Sequence, residues 1–286
     1  MAETGRSVAL ITGGSQGIGK AMALEFGKAG YSLAICARTK EDVDRAASEL
    51  CGMGMDCAGF PLDVRDHKAV GETVARVSEK FGRIDVLVTC AGVYGPIGPL
   101  EENDGDEWEQ AIRINLCGTA FAVRAVLPIM KKQGKGCIVS MAGGGTGSRN
   151  IKPNLSSYIT AKFAICGFVE VLSSELAGTG VRINAISPGA VNTRLLDQVL
   201  ASGERAGKKF YHDSLIQKET GGTPRELAAK FARYLASDEA AHISGKVLSV
   251  VWDRPEMLSG MKNMGNSIFT LRRIDGVLFK ESDEKK

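Results

Sequence analysis

Residues 12–19 read Thr-Gly-Gly-Ser-Gln-Gly-Ile-Gly. This octet directly follows an apolar run at 7–12 and opens a helical pattern at 17–30, so its glycines fall where a strand turns into a helix. The pyrophosphate of a dinucleotide needs that geometry. Glycines let the backbone turn tightly and approach the phosphates, and the start of the helix offers free N–H groups at the positive end of its dipole. The spacing of Gly13, Gly17 and Gly19, with Ser15, Gln16 and Ile18 between them, is the longer GxxxGxG form. A glycine-rich turn can also be purely structural. The nucleotide reading is favoured because the turn lies at the first strand–helix junction of a repeating chain. A Walker A loop is excluded, since no Gly-Lys-Ser/Thr follows.

Outward from this turn, short apolar runs alternate with longer helical patterns. Strands are predicted at 7–12, 31–37, 56–62, 84–89, 137–141, 181–187 and 246–251. Helices are predicted at 17–30, 41–50, 66–82, 107–132, 156–177 and 227–236, the long one tolerating Gly118 and kinked at Pro128. Strands apolar on both faces and separated by helices imply an α/β fold, a Rossmann-type doubly wound parallel sheet covered on both sides. No linker or composition shift divides the chain, so one domain over 1–286 is the economical reading. Two segments look irregular: 142–153, with four glycines in six residues, and 188–224, polar and fit to form a mobile flap over a site. The tail from 253 is mixed, and 280–286 is charged and expected to fray.

Composition narrows the function classes. A net charge of +3 gives no sign of a nucleic-acid or membrane partner. Seven cysteines without CxxC spacing suggest neither a disulfide framework nor a zinc site, and three scattered histidines make a metal centre an unattractive reading. The six residues before the first apolar run leave no room for a signal peptide, and no uninterrupted apolar stretch reaches bilayer length. The expectation is a soluble, cytoplasmic protein.

At the tip of the second strand the chain reads Cys36-Ala37-Arg38-Thr39. An acidic residue here would bind a free ribose 2′-hydroxyl and repel a 2′-phosphate. Ala37 removes that repulsion and Arg38 can pair with the phosphate, which favours NADP(H), with NAD(H) still possible. Arg38 as an ordinary solvated charge is the plain alternative. Asp63-Val64 is placed to hold the adenine edge, or else forms a capping turn in which Asp66 caps the next helix.

These motifs resemble the short-chain dehydrogenase/reductase family over nearly the whole chain. The matches are 12–19, Asp63-Val64, Ala91-Gly92, Asn115, Tyr158-Ile-Thr-Ala-Lys162, and Pro188-Gly189 followed by Thr193. Gly143-Gly144-Gly145 and the Val-Trp-Asp and Thr-Leu-Arg-Arg stretches look like members labelled 3-oxoacyl-carrier-protein reductase-like. The resemblance implies that Tyr158 exchanges a proton with the oxygen of a small carbonyl or alcohol substrate. Lys162, four residues on and on the same helical face, would lower its pKa and hold the nicotinamide ribose. Asn115 would support a proton-relaying water. Thr193 and the backbone near Val191 would hold the cofactor's amide and phosphates, and residues 94–106 and 188–224 would shape the substrate pocket. A homodimer or homotetramer is also implied, pairing the helices that carry Asn115 and Tyr158.

The chain departs from the family in two places. The family's serine, which donates to the substrate oxygen, is expected near Ala142 or Gly143, and neither has a hydroxyl. Ser140 is the first choice of replacement, with Thr146 and Ser148 as alternatives. Thr89-Cys90 stands where the family carries an asparagine that braces the sheet. These gaps leave two rival readings beside an NADP(H)-dependent reductase: a dinucleotide-binding sensor with little or no turnover, and a lyase or epimerase using the same Tyr and Lys.

Overall fold

The structure, a computed structural model, describes residues 5–143, 145–146, 151–261 and 269–270. Ser148 and the 280–286 stretch of the tail lie outside the described residues. Seven strands form one sheet: β1 (Val8–Thr12), β2 (Ser32–Ala37), β3 (Cys57–Pro61), β4 (Val86–Thr89), β5 (Gly136–Met141), β6 (Val181–Ser187) and β7 (Val247–Ser249). Their spatial order is β3-β2-β1-β4-β5-β6-β7, and every neighbouring pair is parallel. All residues of β1, β4 and β5 are buried, as the two-faced apolar runs require. β3 is an edge strand, where Pro61 removes no needed ladder bond.

Alternate strand residues feed two cores. Ala9, Ile11, Leu33, Ile35, Val86 and Val88 point to one face. There they meet Phe26 of α1 (Gly17–Lys28), Leu50 of α2 (Lys40–Gly52) and Phe231 of α9 (Arg225–Ala236). Val8, Leu10, Ala34 and Leu87 point to the other face. They pack on Val77 of α3 (His67–Phe81), Val126 of α5 (Gly118–Gln133) and Val169 of α6 (Ser156–Glu175). Asp66 caps α3 by accepting from the Lys68 and Ala69 N–H groups, and Gly82 ends it in the left-handed conformation (φ 77°).

Two expectations change in detail. The long helix predicted at 107–132 comes as α4 (Gly105–Ile112), a π-turn over Arg113–Cys117, and α5, which continues through Pro128. The break is made by Asn115. Its Nδ2 donates to Ala111 O, the acceptor that its own backbone N–H would use in a regular helix, while Thr119 Oγ1 takes the Asn115 carbonyl. The run Gly105–Gln133 is also long and apolar enough to cross a membrane by length and composition alone. Here α5 turns Ala122, Val123, Val126 and Met130 into the core.

The irregular 188–224 segment contains two helices, α7 (Arg194–Ser202) and α8 (Lys208–Thr220). Val199, Ala206 and Phe210 from this region bury against Leu155, Tyr158 and Ile159 in a third apolar cluster. The flap therefore packs directly on the start of α6. A short α10 (Pro255–Ser259) follows β7.

Burial raises five thiols well above the ordinary value near 9: Cys36 and Cys57 to about 12, and Cys90, Cys137 and Cys166 to about 11. A raised folded-state pKa gives stability that is whole below the unfolded value and is lost as pH climbs through the folded one. With all thiols kept reduced, the urea midpoint is therefore expected to fall between pH 9 and 11. Cys36→Ala should lose less over the same interval than the parent, and equal losses would show that the fold does not hold this thiol protonated.

Candidate active site

A cavity of about 350 Å³ opens at the carboxyl ends of β1, β2 and β4, where the strand order reverses. Its wall brings together the turn residues Gly13 and 15–19, the Arg38-Thr39 pair, Asp63-Val64, Ala91-Gly92 and Thr193. Gly13 has φ 69°, and a Cβ on it would lie 2.7 Å from Ala91 N. A Cβ on Gly19 would run into the Gly13 carbonyl. Gly17 (φ 57°) has more room, since a Cβ there would make an ordinary contact with Thr193 Cγ2 at 3.5 Å, and its positive φ is what calls for glycine. The first turn of α1 has no capping side chain and no acidic residue, so its N–H groups are left for an anion. These residues fit a dinucleotide pyrophosphate.

At the ribose end Arg38 is exposed and makes no hydrogen bond or ion pair among the described residues. Asp42 shares this wall, but it forms an ion pair with Arg45. The Asp63 carboxylate is held by Arg65, with N···O distances of 2.6–3.0 Å, and this keeps it below the usual carboxylate range. Arg194 and Gln198 of α7 complete the wall. No local motif marks them, because their place on the wall depends on where α7 docks.

A second cavity, of about 580 Å³, shares Ile18, Thr193 and Leu195 with the first. Tyr158, Gly143, Thr146, Ser187, Pro188, Gly189 and Val191 lie on its wall. Lys152 and Trp252 are there as well, the latter 78% exposed. Tyr158 is nearly buried, its ring edge-on to Tyr94 at 4.7 Å between centroids. Lys162, one helical turn on, is 4% exposed; its Nζ donates to Met141 O at 2.8 Å and lies 5.5 Å from the Tyr158 ring centroid.

The sequence reading expected Lys162 to lower the Tyr158 pKa. The structure gives the opposite direction. Burial pushes the phenol up, helped by Tyr94 and Cys90, and the same burial brings Lys162 down to about 8. Desolvation disfavours each charged form, and at this separation it outweighs their attraction. The phenol therefore stays protonated at neutral pH.

Asn115 and Ser140 are not part of either cavity wall. Asn115 is fully buried, and its amide is spent on backbone: Nδ2 donates to Val93 O and Ala111 O at 2.8 Å, and Oδ1 accepts from Val93 N at 3.3 Å. It fixes the segment after β4 against the helix. Ser140 is also fully buried, and its Oγ has no hydrogen-bond partner among the described residues. Its register neighbour on β4, Thr89, is in the same condition. Thr146 is the alternative that does reach the wall. Its Oγ1 donates to Gly143 O at 2.9 Å and lies 3.3 Å from Ser187 Oγ, a second hydroxyl on the same wall.

Comparison with known proteins bears on the family and the fold. Residues 7–203 match the family model described as short chain dehydrogenase. The short-chain reductase protein NovJ of Streptomyces niveus is 35% identical over 260 residues, which cover 87% of this chain and 94% of NovJ. The crystal structure of actinorhodin polyketide ketoreductase with NADPH is similar with a TM-score of 0.78 at 29% identity, covering 91% of this chain and 98% of that one. NAD+-bound xylitol dehydrogenase gives a TM-score of 0.78 at 26% identity, covering 86% and 98%.

Position 143 yields a direct test. A Cβ there would lie 2.6 Å from the Tyr158 hydroxyl oxygen and 2.8 Å from Lys162 Cγ, both on a packed helix. Gly143→Ser, although it supplies the hydroxyl missing at this position, is expected to destabilise the fold by about 1–3 kcal/mol through overpacking. Urea unfolding measures it, and an unchanged midpoint would mean that Tyr158 is free to move aside.

Proposed function

The chain belongs to the short-chain dehydrogenase family and is a nicotinamide-dependent oxidoreductase acting on CH–OH or carbonyl groups; from that premise we propose an NADP(H)-dependent carbonyl reductase, working as one domain over residues 1–286, with Tyr158 as its acid/base. The observation that carries this reading is the placement of Tyr158 on a cavity that shares Ile18, Thr193 and Leu195 with the glycine-lined one, with Lys162 buried one helical turn behind it. The preference for NADP(H) rests on the absence of an acidic residue at Ala37, on the unpaired Arg38, and on Arg194 in the same wall. When bound, the nicotinamide supplies the hydride for the carbonyl carbon.

The protein's own residues handle the proton. A phenol held protonated by burial is a donor to the substrate oxygen as that oxygen gains charge. Lys162, anchored on Met141 O, offers a positive charge beneath it that favours the phenolate left behind. Thr146 and Ser187 supply the hydroxyls that the missing serine would have brought, with Thr146 fixed by Gly143 O. Pro188, Gly189 and Val191 line the second cavity beyond the end of β6, Thr193 lines both, and together they would hold the nicotinamide end. Seven unpaired cysteines support a reducing, cytoplasmic setting. The exposed Val171 on α6 supports pairing of that helix in a homo-oligomer. A binding protein without turnover remains the second reading, favoured by Gly143 alone.

Titration of protein fluorescence with NADPH and NADH tests the cofactor assignment. Arg38→Ala should weaken NADPH by about tenfold, the scale of one charge-assisted bond to phosphate, and leave NADH unchanged. Tyr158→Phe should keep nucleotide affinity and lose turnover by at least about 10²-fold. Nucleotide binding by the parent chain, with no carbonyl reduced from a broad panel, would favour the second reading.

The pH profile follows from Lys162. Its folded pKa is lowered to about 8, so its charge is present below that value and lost above it. The kcat for carbonyl reduction is expected to decline as pH rises through about 8. In Lys162→Arg, which keeps its charge, the decline should move upward. A decline at the same pH in both proteins would assign it to another group.

A further inference from the structure

Lys152 has an unusual setting. It comes from the glycine-rich connection before α6 and lines the same cavity as Tyr158. Its Nζ lies 3.9 Å from the centroid of the Phe210 ring. No carboxylate lies within ion-pair distance of it among the described residues. Asp213 is the acidic group whose field it feels, but that carboxylate is taken by Lys209 at 2.9 Å. The other charged residue on the cavity wall is Asp253, whose Oδ2 accepts from Ser249 N at 2.6 Å. Among the described residues the cavity wall therefore carries one cation, Lys152, that no carboxylate pairs with directly, and one carboxylate, Asp253, that is turned to the Ser249 backbone.

The ring contact holds this ammonium without cancelling its charge. A cation over an aromatic face is attracted by the ring quadrupole, which restrains its direction. Partial burial disfavours the charged form, and the Lys152 pKa is lowered accordingly. A group kept in this condition is best satisfied by an anion entering the cavity. Because a charge-assisted bond inside a partly closed site is stronger than its surface equivalent, it can orient a substrate as well as hold it.

We infer that the substrate is a carbonyl compound bearing an anionic group, a carboxylate or a phosphate, which Lys152 binds while its carbonyl lies against Tyr158. The inference rests on the carbonyl reductase reading and deepens it. The specificity arises at the far end of the molecule from the reacting carbon, and Lys152 is a binding residue with no part in proton or hydride transfer.

The test compares steady-state reduction of short oxo-carboxylates of increasing chain length with their methyl esters, and of dihydroxyacetone phosphate with dihydroxyacetone. One member of these pairs should show kcat/KM at least tenfold higher for the anion than for its neutral counterpart, and which pair does so separates carboxylate from phosphate. In Lys152→Gln the gap should collapse through a rise in KM for the anion, with the rate on the neutral compound and the NADPH affinity unchanged. Lys152→Arg should keep it, and Lys152→Glu should reverse it. Reduction of the neutral compounds with no preference for any anion would overturn this inference alone, as would a gap that survives Lys152→Gln. Failure to reduce any compound of either kind would overturn the reductase reading, and this inference with it.

Discussion

The architecture rests on a contact that leaves no space for a side chain. The turn after β1 presses against the segment after β4 so closely that a Cβ on Gly13 would collide with the Ala91 backbone, and α1 begins so near that turn that Gly19 cannot have one either. This approach brings the uncapped start of α1 over the point where the strand order reverses. Sheets of this type leave a crevice at such a point, because the helices on either side go to opposite faces. The glycine-lined cavity and the placement of Thr193 between it and the cavity of Tyr158 follow from it.

A second constraint acts on α6. Nine residues of this helix are buried, and two of those that titrate, Tyr158 and Lys162, stand one turn apart. Their polar ends need partners inside the protein, and the fold supplies one directly: the Met141 carbonyl at the end of β5, which takes the lysine. The helix is also covered from outside by the 194–220 region, whose Phe210 and Val199 close over Leu155 and Ile159. Chemistry and stability thus meet at one place. The apolar cover that steadies the start of α6 also removes water from the phenol and sets the direction of its pKa shift.

The sequence showed most of the fold because the strands are short, apolar on both faces and spaced by helices, so their periodicity carries the topology. The glycine turn and the Tyr158–Lys162 spacing were readable for the same reason: each is local. Features set by tertiary packing were not readable. Asn115 was read as support for a water, and its part in opening a π-turn and tying Val93 to the helix depends on a segment 22 residues away. Ser140 looked the best-fixed hydroxyl, yet the strand turns it inward beside Thr89. Thr146 reaches the wall because its loop folds back on Gly143. Lys152 was passed over as one lysine in an irregular stretch, and its character comes from Phe210 on a helix the sequence had left within a flap.

The two tryptophans have different settings. Trp108 donates its Nε1 proton to Ser156 Oγ at 3.0 Å, at the first residue of α6, while Trp252 stands 78% exposed on the wall of the cavity that Tyr158 lines. An indole in water emits at longer wavelength than one that is covered. The chain therefore contains an optical reporter whose colour depends on whether the cavity beside it is filled, with a second indole, already bonded to the start of α6, as its internal reference.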